Sequence, residues 1–352
     1  MSCNGLEYKL WFYYLKISTK NKILLLEEYN DEKYIYDNFE IIQKDRSILT
    51  VRYDKNEEMN KVYQSIDYMK LNKINFLSYN DDIFPKKLKY ISNPPIGLFY
   101  KGDIRLLNTR IVSIVGSRSC TNYGIEVTKL LTNELNSYNI TIISGGAKGI
   151  DTIAHTNTLN NHGKTIAVFG CGVDICYPKE NYRIFQEIEK EGLIISEFSP
   201  MTKPLRYNFP IRNRIISGLS ELVIVVEASE KSGSLITASY AADQNIDVMS
   251  IPGAITKKES KGCNKLIKEG SLIFTGMEDL YDALNLKVKE KNINLSPIVR
   301  KVLSIIGENP MHIDEIINKS FIDREALYKV LFEMQIRNEI ISLPGNYYAK
   351  II

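Results

Sequence analysis

Glycine, serine and cationic residues gather in the stretches that follow short apolar runs, and the chemistry these types suit is the binding of phosphate. After "IVSIV" (111–115) come Gly116, Ser117 and Arg118. After "ITIIS" (140–144) comes "GGAKGID", where Gly145, Gly146 and Gly149 free the backbone to aim amides at an anion and Lys148 adds a charge. The loop after "TIAVF" (165–169) is "GCGVDICYPKEN", with Lys179 near its end. After "LVIVVE" (222–227), "ASEKSGS" sets Ser232, Gly233 and Ser234 at the amino end of a helix, where exposed N–H groups and the dipole favour negative charge. Each loop also reads as an ordinary capped strand-to-helix turn. What argues for an anion is that the same bias recurs along one edge.

The segment "PLRYNFPIRNRIISGLS" (204–220) is more specific. Arg206, Arg212 and Arg214 crowd together with Asn213, Tyr207 and Phe209, and no carboxylate occurs from 198 to 220. Arginine forks onto phosphate, and an aromatic ring beside it can stack on a base. The alternative is a solvated turn with Phe209 tucked into the core.

Catalytic patterns are thin. The dinucleotide fingerprint G-x-G-x-x-G is replaced by Gly116 and Gly124 with Ser117 and Arg118 between them, and the P-loop and the G-x-S-x-G elbow are missing. His155, His162 and His312 do not repeat at metal spacing, and five cysteines at irregular spacing suit neither zinc nor a disulfide framework. Asp151 and Asp174 follow glycine-rich loops, where an aspartate serves as a base or, more commonly, as a cap. The expectation is a binding protein with no catalytic residue, cofactor or metal.

The elements that must position these residues follow from periodicity. Six runs, completed by "LIISE" (193–197) and "VMSIP" (248–252), alternate with helical stretches, which indicates a parallel sheet covered on both faces: an α/β, doubly wound Rossmann-like domain. Ligands of such sheets bind outside the carboxyl ends of the strands, where the special residues fall. Residues 1–75 read as short helices, 76–287 as the Rossmann-like domain with a proline-broken extended entry, and 294–352 as three helices and a β-hairpin, a winged-helix shape. In that last part Arg324, Lys329 and Arg337 alternate with Asp323, Glu325 and Glu333, which suits protein contact better than DNA. The 352 residues carry a net charge of +3, all of it in 76–295, because 1–75 holds 12 cations against 12 carboxylates and 296–352 holds 7 against 7. Without a long apolar run or a recognisable signal segment, a cytoplasmic protein without membrane contact is expected.

In order along the chain, "VGSR", "SGGAKGIDTIAHTNTL", "AVFGCGVDICYPKENYRIF", "ISEFSP", "NFPIRNRIISGLS", "VVEASEKSGSLITASYAADQ" and "SIPGAI" resemble the bacterial DNA-processing protein A family (DprA, also called Smf), most densely from Pro94 to Leu284. The resemblance implies an extended Rossmann domain that binds single-stranded DNA, dimerises and loads the RecA recombinase, as in natural transformation. It also implies a sterile-alpha-motif-like or helix-hairpin-helix amino-terminal domain and a carboxy-terminal winged helix. Carried over, the strand contacts fall on Gly116, Ser117, Arg118, Lys148, Lys179, Arg206, Phe209, Arg212 and Arg214, with Phe209 against a base. A competing reading is a nucleotide phosphoribohydrolase of the lysine-decarboxylase-like group, but its "PGGxGTxxE" glutamate has no counterpart in "EASEKSGSLITA". An NAD-dependent dehydrogenase fails on the fingerprint.

Overall fold

The computed structural model describes residues 5–46, 54–288, 297–307, 309–336 and 339–350, and the chain divides into two compact units, 1–286 and 287–352. In the first unit the apolar spacing near the amino terminus is realised as α1 (Leu6–Tyr14), α2 (Thr19–Tyr29), α3 (Glu32–Arg46) and α4 (Lys55–Leu71). Ser18 and Asp54 cap α2 and α4 by accepting backbone N–H groups. Their apolar faces, around Trp11, Phe12 and Phe39, run into the same core as Leu98 and Phe99 of the sheet.

The entry segment contributes β1 (Asn75–Ser78), the short α5 (Lys86–Lys89) and β2 (Gly97–Gly102). The apolar runs then form β3 (Ile111–Val115), β4 (Thr141–Ser144), β5 (Thr165–Val168), β6 (Leu193–Ser196), β7 (Leu222–Val225) and β8 (Asp247–Ser250), and β9 (Leu272–Ile273) closes the series. Between and after them lie α6 (Asn122–Ser137), α7 (Ile150–Asn160), α8 (Tyr182–Glu191), α9 (Asn208–Leu219), α10 (Ser234–Asp243), α11 (Lys261–Lys268) and α12 (Met277–Leu284).

Among the described residues these strands make one nine-stranded sheet in the order β1-β2-β6-β5-β4-β3-β7-β8-β9. It is parallel except where β2 runs antiparallel to β6 and β1 to β2. Side chains of a strand alternate between faces, so Ile111 and Val115 join one core while Val112 and Ile114 join the other. The strand sequence grows outward in both directions from the β3/β7 pair, which puts the topological switch point there.

One buried polar residue gives this core a pH dependence. His155 on α7 is fully buried with Nδ1 2.7 Å from Thr165 Oγ1, and burial, aided by the charge of Arg212, pulls its pKa down to about 3. Below the ordinary histidine value of about 6.5 the unfolded chain takes up a proton that the folded chain refuses, so stability falls as pH drops from there towards 3. The slope is about 1.4 kcal/mol per pH unit for this group. Thermal melting from pH 7 to pH 4 should therefore fall more steeply for the native protein than for His155→Gln; parallel profiles would rule the effect out.

In the second unit, α13 (Pro297–Ile305), β10 (Met311–His312), α14 (Ile313–Ser320), α15 (Arg324–Ile336), β11 (Ile340–Leu343) and β12 (Tyr347–Lys350) make a winged helix. Its sheet has the order β10-β12-β11, and Val302, Ile316, Leu327, Leu331 and Tyr348 form its core. Arg324 is paired with Asp314 at 2.7 Å, and Arg337 lies outside the described residues.

Candidate nucleic-acid interface

The loops leaving β3, β4, β5, β6, β7 and β8 meet at the switch point around a cleft of about 710 Å³. The loop after β3 is laid against the loop after β4: Ile150 N donates to Ser117 O at 3.1 Å. The contact depends on Gly149, whose φ is +78° and where a Cβ would come within 2.2 Å of Ser117 O. Arg118 projects exposed from this junction, while the Ser117 hydroxyl bonds locally to Ser119. Glu227, buried at the end of β7, fixes the far side of the loop by accepting from Thr121 N at 2.8 Å and Thr121 Oγ1 at 2.6 Å.

The floor is Arg212 on α9, only 4% exposed. Its Nη1 donates to the carbonyl oxygens of Gly145 and Val168, and its Nε donates to Asn213 Oδ1 at 3.1 Å. These bonds spread one guanidinium over the carboxyl ends of β4 and β5, and Nη2 has no hydrogen-bond partner among the described residues. Burial pulls its pKa down to about 10, against the raising influence of the Asp151 carboxylate. Asp151 in turn accepts from the amides of Gly145 and Ala147, at 3.1 and 3.2 Å, which makes it a loop clasp at the start of α7. Burial pushes its carboxyl up while Arg212 and those amides oppose the shift.

Phe209, half-buried, stands beside Tyr177 with ring centroids 5.4 Å apart, and Arg212 Cζ lies 5.9 Å from its ring centre. Gly170 permits this packing, because a Cβ there would meet the Phe209 ring at 2.9 Å. On the opposite side of the cleft Ser232 and Ser234 share a hydroxyl contact of 2.7 Å at the start of α10, and Asn213 Nδ2 donates to Gly233 O at 3.3 Å.

Of the residues marked in the sequence, Gly116, Ser117, Arg118, Arg206, Phe209, Arg212, Asn213, Ser232, Gly233 and Ser234 line the cleft. Lys148 lines a small adjoining recess of about 70 Å³ that shares Arg118, Tyr177, Phe209 and Arg212 with it. It is also paired with Glu180 at 2.5 Å, both side chains exposed. Gly146 is buried with φ +67° and its carbonyl accepts from Asn181, so it serves the loop from behind. Lys179 is exposed but lines neither space.

Arg214 is a correction. The expectation that it lines the groove fails because its guanidinium forks onto Glu197, at 2.9 and 2.5 Å, with the arginine side chain 5% exposed. Two residues along a helix turn it by about 200°, so Arg214 lies on the face of α9 roughly opposite Arg212, towards Glu197 and away from the cleft. Tyr177, Lys231 and Lys258 line the cleft without having been singled out. Their signals were present: an aromatic residue in "ICYPKEN" and lysines in the loops after β7 and β8. No ion pair joins Arg118, Arg206, Lys231 or Lys258 to a described residue. Among the described residues no group of three or more His, Cys, Asp or Glu is arranged to hold a metal, and no helix is long and apolar enough to cross a membrane.

Comparison with known proteins brings a family to this architecture. The family described as DNA recombination-mediator protein A matches residues 75–285, and that described as the DprA winged helix domain matches 289–346. Protein Smf of Synechocystis is 34% identical over 317 residues, covering 78% of this chain and 80% of that protein. The X-ray structure of DNA processing protein A from Streptococcus pneumoniae is similar with a TM-score of 0.64 and 39% identity, covering 78% of this chain and 95% of that one. DNA processing protein A from Helicobacter pylori, whose structure is described in terms of a single-stranded DNA binding mode, is similar with a TM-score of 0.56 and 33% identity, covering 60% of this chain and 96% of that one.

Proposed function

The chain belongs to the DNA recombination-mediator protein A (DprA/Smf) family, and on that premise we propose that its cleft binds single-stranded DNA without chemical change and delivers it to the RecA recombinase. The observation that supports this reading most is the company in the cleft: Arg118, Arg206, Lys231 and Lys258, none ion-paired to a described residue, share it with the Phe209–Tyr177 rings. Cations follow a phosphate backbone whatever its sequence, and a ring stacks on any base, so the pairing suits a sequence-tolerant single strand. A duplex offers phosphates but no free base face. That the Helicobacter pylori relative is described by single-stranded DNA binding supports the same conclusion.

In this reading Arg118 and Arg206 hold phosphates and Phe209 stacks, while Arg212 gives the floor a fixed, desolvated charge. The amides and hydroxyls of Gly116, Ser117, Ser232, Gly233 and Ser234 supply neutral donors. Lys148 extends the track once its partner Glu180 is displaced. The protein acts as a homodimer through its Rossmann-like domain. The three-part division at 75/76 and near 288–294 belongs to the same proposal. The mixed-charge winged helix serves protein contact, in keeping with the pairing of Arg324 to Asp314.

Neutralising about three to five phosphates gives a slope of log affinity against log salt of about −2 to −3.5 for a single strand. Delivery is tested by the lag before RecA hydrolyses ATP on an oligonucleotide coated with single-strand-binding protein. The native protein should shorten the lag and Arg118→Ala should restore it. A lag that the native protein leaves unchanged would reject delivery.

A further inference from the structure

Asp174 lies outside both cavities, yet it joins the two segments that wall them. Its Oδ1 and Oδ2 each accept the Met201 N–H at 3.0 Å, and Oδ2 also accepts the Tyr68 hydroxyl at 2.9 Å. Around it the loops after β5 and β6 are zipped together: Ser196 Oγ donates to Cys171 O at 2.7 Å and Gly172 N to Thr202 O at 3.0 Å. The approach is so close that a Cβ on Gly172 would meet Asp174 Oδ1 at 2.4 Å and Met201 N at 2.9 Å. Beyond Asp174 the first loop carries Tyr177, and beyond Met201 the second carries Arg206 and leads into α9 with Phe209, all three lining the cleft.

Met201 occupies an unusual backbone conformation at this junction. Its φ is +64°, a region uncommon for residues other than glycine, asparagine and aspartate, and its side chain is 61% exposed, so packing does not impose the conformation. The turn from Ser199 to Thr202, closed by Thr202 N donating to Ser199 O at 3.2 Å with Pro200 at its second position, holds that conformation, and the Asp174 carboxylate takes up the Met201 N–H that the turn presents. Tyr68 brings a third element to the same carboxylate, because it projects from α4 in the amino-terminal helices.

We propose that Asp174 is a positioning residue for the cleft and that the amino-terminal helices act on nucleic-acid binding through the Tyr68 hydroxyl. The carboxylate sets where the Tyr177 loop and the Arg206–Phe209 segment stand relative to each other, and Tyr68 sets where the carboxylate stands. This rests on the proposed single-strand binding, so the native protein is the control that separates the two.

The test is anisotropy of a labelled oligodeoxythymidine over a range of salt. Asp174→Ala should weaken binding about tenfold, a displacement worth ~1.4 kcal/mol, and Tyr68→Phe about threefold. The salt slope should stay that of the native protein, since no phosphate-bound cation is lost. The double variant should bind no more weakly than Asp174→Ala, because Tyr68 works through Asp174. Asp174→Asn, which keeps an acceptor for Met201 N–H, should recover most of the affinity. Native affinity in both single variants would overturn the proposal, and additive losses in the double variant would overturn the coupling through Tyr68. Should Asp174→Ala fail to fold, Tyr68→Phe, which lacks one oxygen, decides it. If the native protein itself does not bind, single-strand binding falls and this falls with it; if it binds and the variants match it, this inference alone falls.

Discussion

Arg214→Ala is expected to cost the folded state about 3–5 kcal/mol, because it removes one member of a buried ion pair and leaves the other, Glu197, without its partner. Burial already pushes the Glu197 carboxyl up in spite of Arg214. Without the guanidinium that carboxyl must either hold an uncompensated charge or take a proton. The pair also ties α9, which carries Phe209 and Arg212, to the end of β6. In a domain of this size each kcal/mol is worth about 2–4 °C in Tm, so the loss is expected to be near 10 °C by calorimetry. Replacing both partners by apolar residues, Arg214→Met with Glu197→Leu, should recover much of it, since paired charges in a low-dielectric site gain little over a well-packed apolar pair. A melting temperature that Arg214→Ala leaves in place, with weakened DNA binding, would instead return Arg214 to the groove.

Phe209→Ala is expected to lower single-strand affinity by about 1–3 kcal/mol, the worth of one base stacked on an aromatic ring. The ring is also partly structural, because it packs over Gly170 and beside Tyr177. Phe209→Leu separates the two roles: it fills most of the same space and has no π-face. Titration of an oligonucleotide at constant salt should show Phe209→Leu losing nearly as much affinity as Phe209→Ala while melting close to the native protein. If leucine restores binding, the ring is a packing residue and stacking lies elsewhere, with exposed Tyr177 the next to be tested.

Much of this is legible in the sequence alone. The six apolar runs became the six parallel strands from β3 to β8, because a strand buried on both faces must be apolar nearly throughout. The loops at their carboxyl ends therefore had to share an edge. The added strands were harder to see: β1 and β2 are antiparallel extensions within a proline-broken segment, and β9 is two half-exposed residues at the other margin. Neither carries a periodic signal.

The site residues divide by the range of the interaction that decides their role. Arg118, Phe209 and Ser232 sit where local order alone places them. Arg214 could not be distinguished from Arg212 by composition, since the difference lies in which face of α9 each occupies and in Glu197, which stands just before the carboxylate-free stretch. Lys148 is likewise bound to a carboxylate far along the chain, Glu180. Asp151 followed the more ordinary expectation for an aspartate beside a helix start, with its carboxylate spent on two backbone amides.

The most direct test of the central claim is fluorescence anisotropy of one labelled oligonucleotide, single-stranded and then annealed to its complement, against the native protein and Arg118→Ala from low to moderate salt. The account predicts preference for the single strand, weaker binding in the variant, and a salt slope shallower by about 0.7, the share of one phosphate. Equal affinity for strand and duplex, or an Arg118→Ala protein that binds the strand with native affinity and slope, would contradict it.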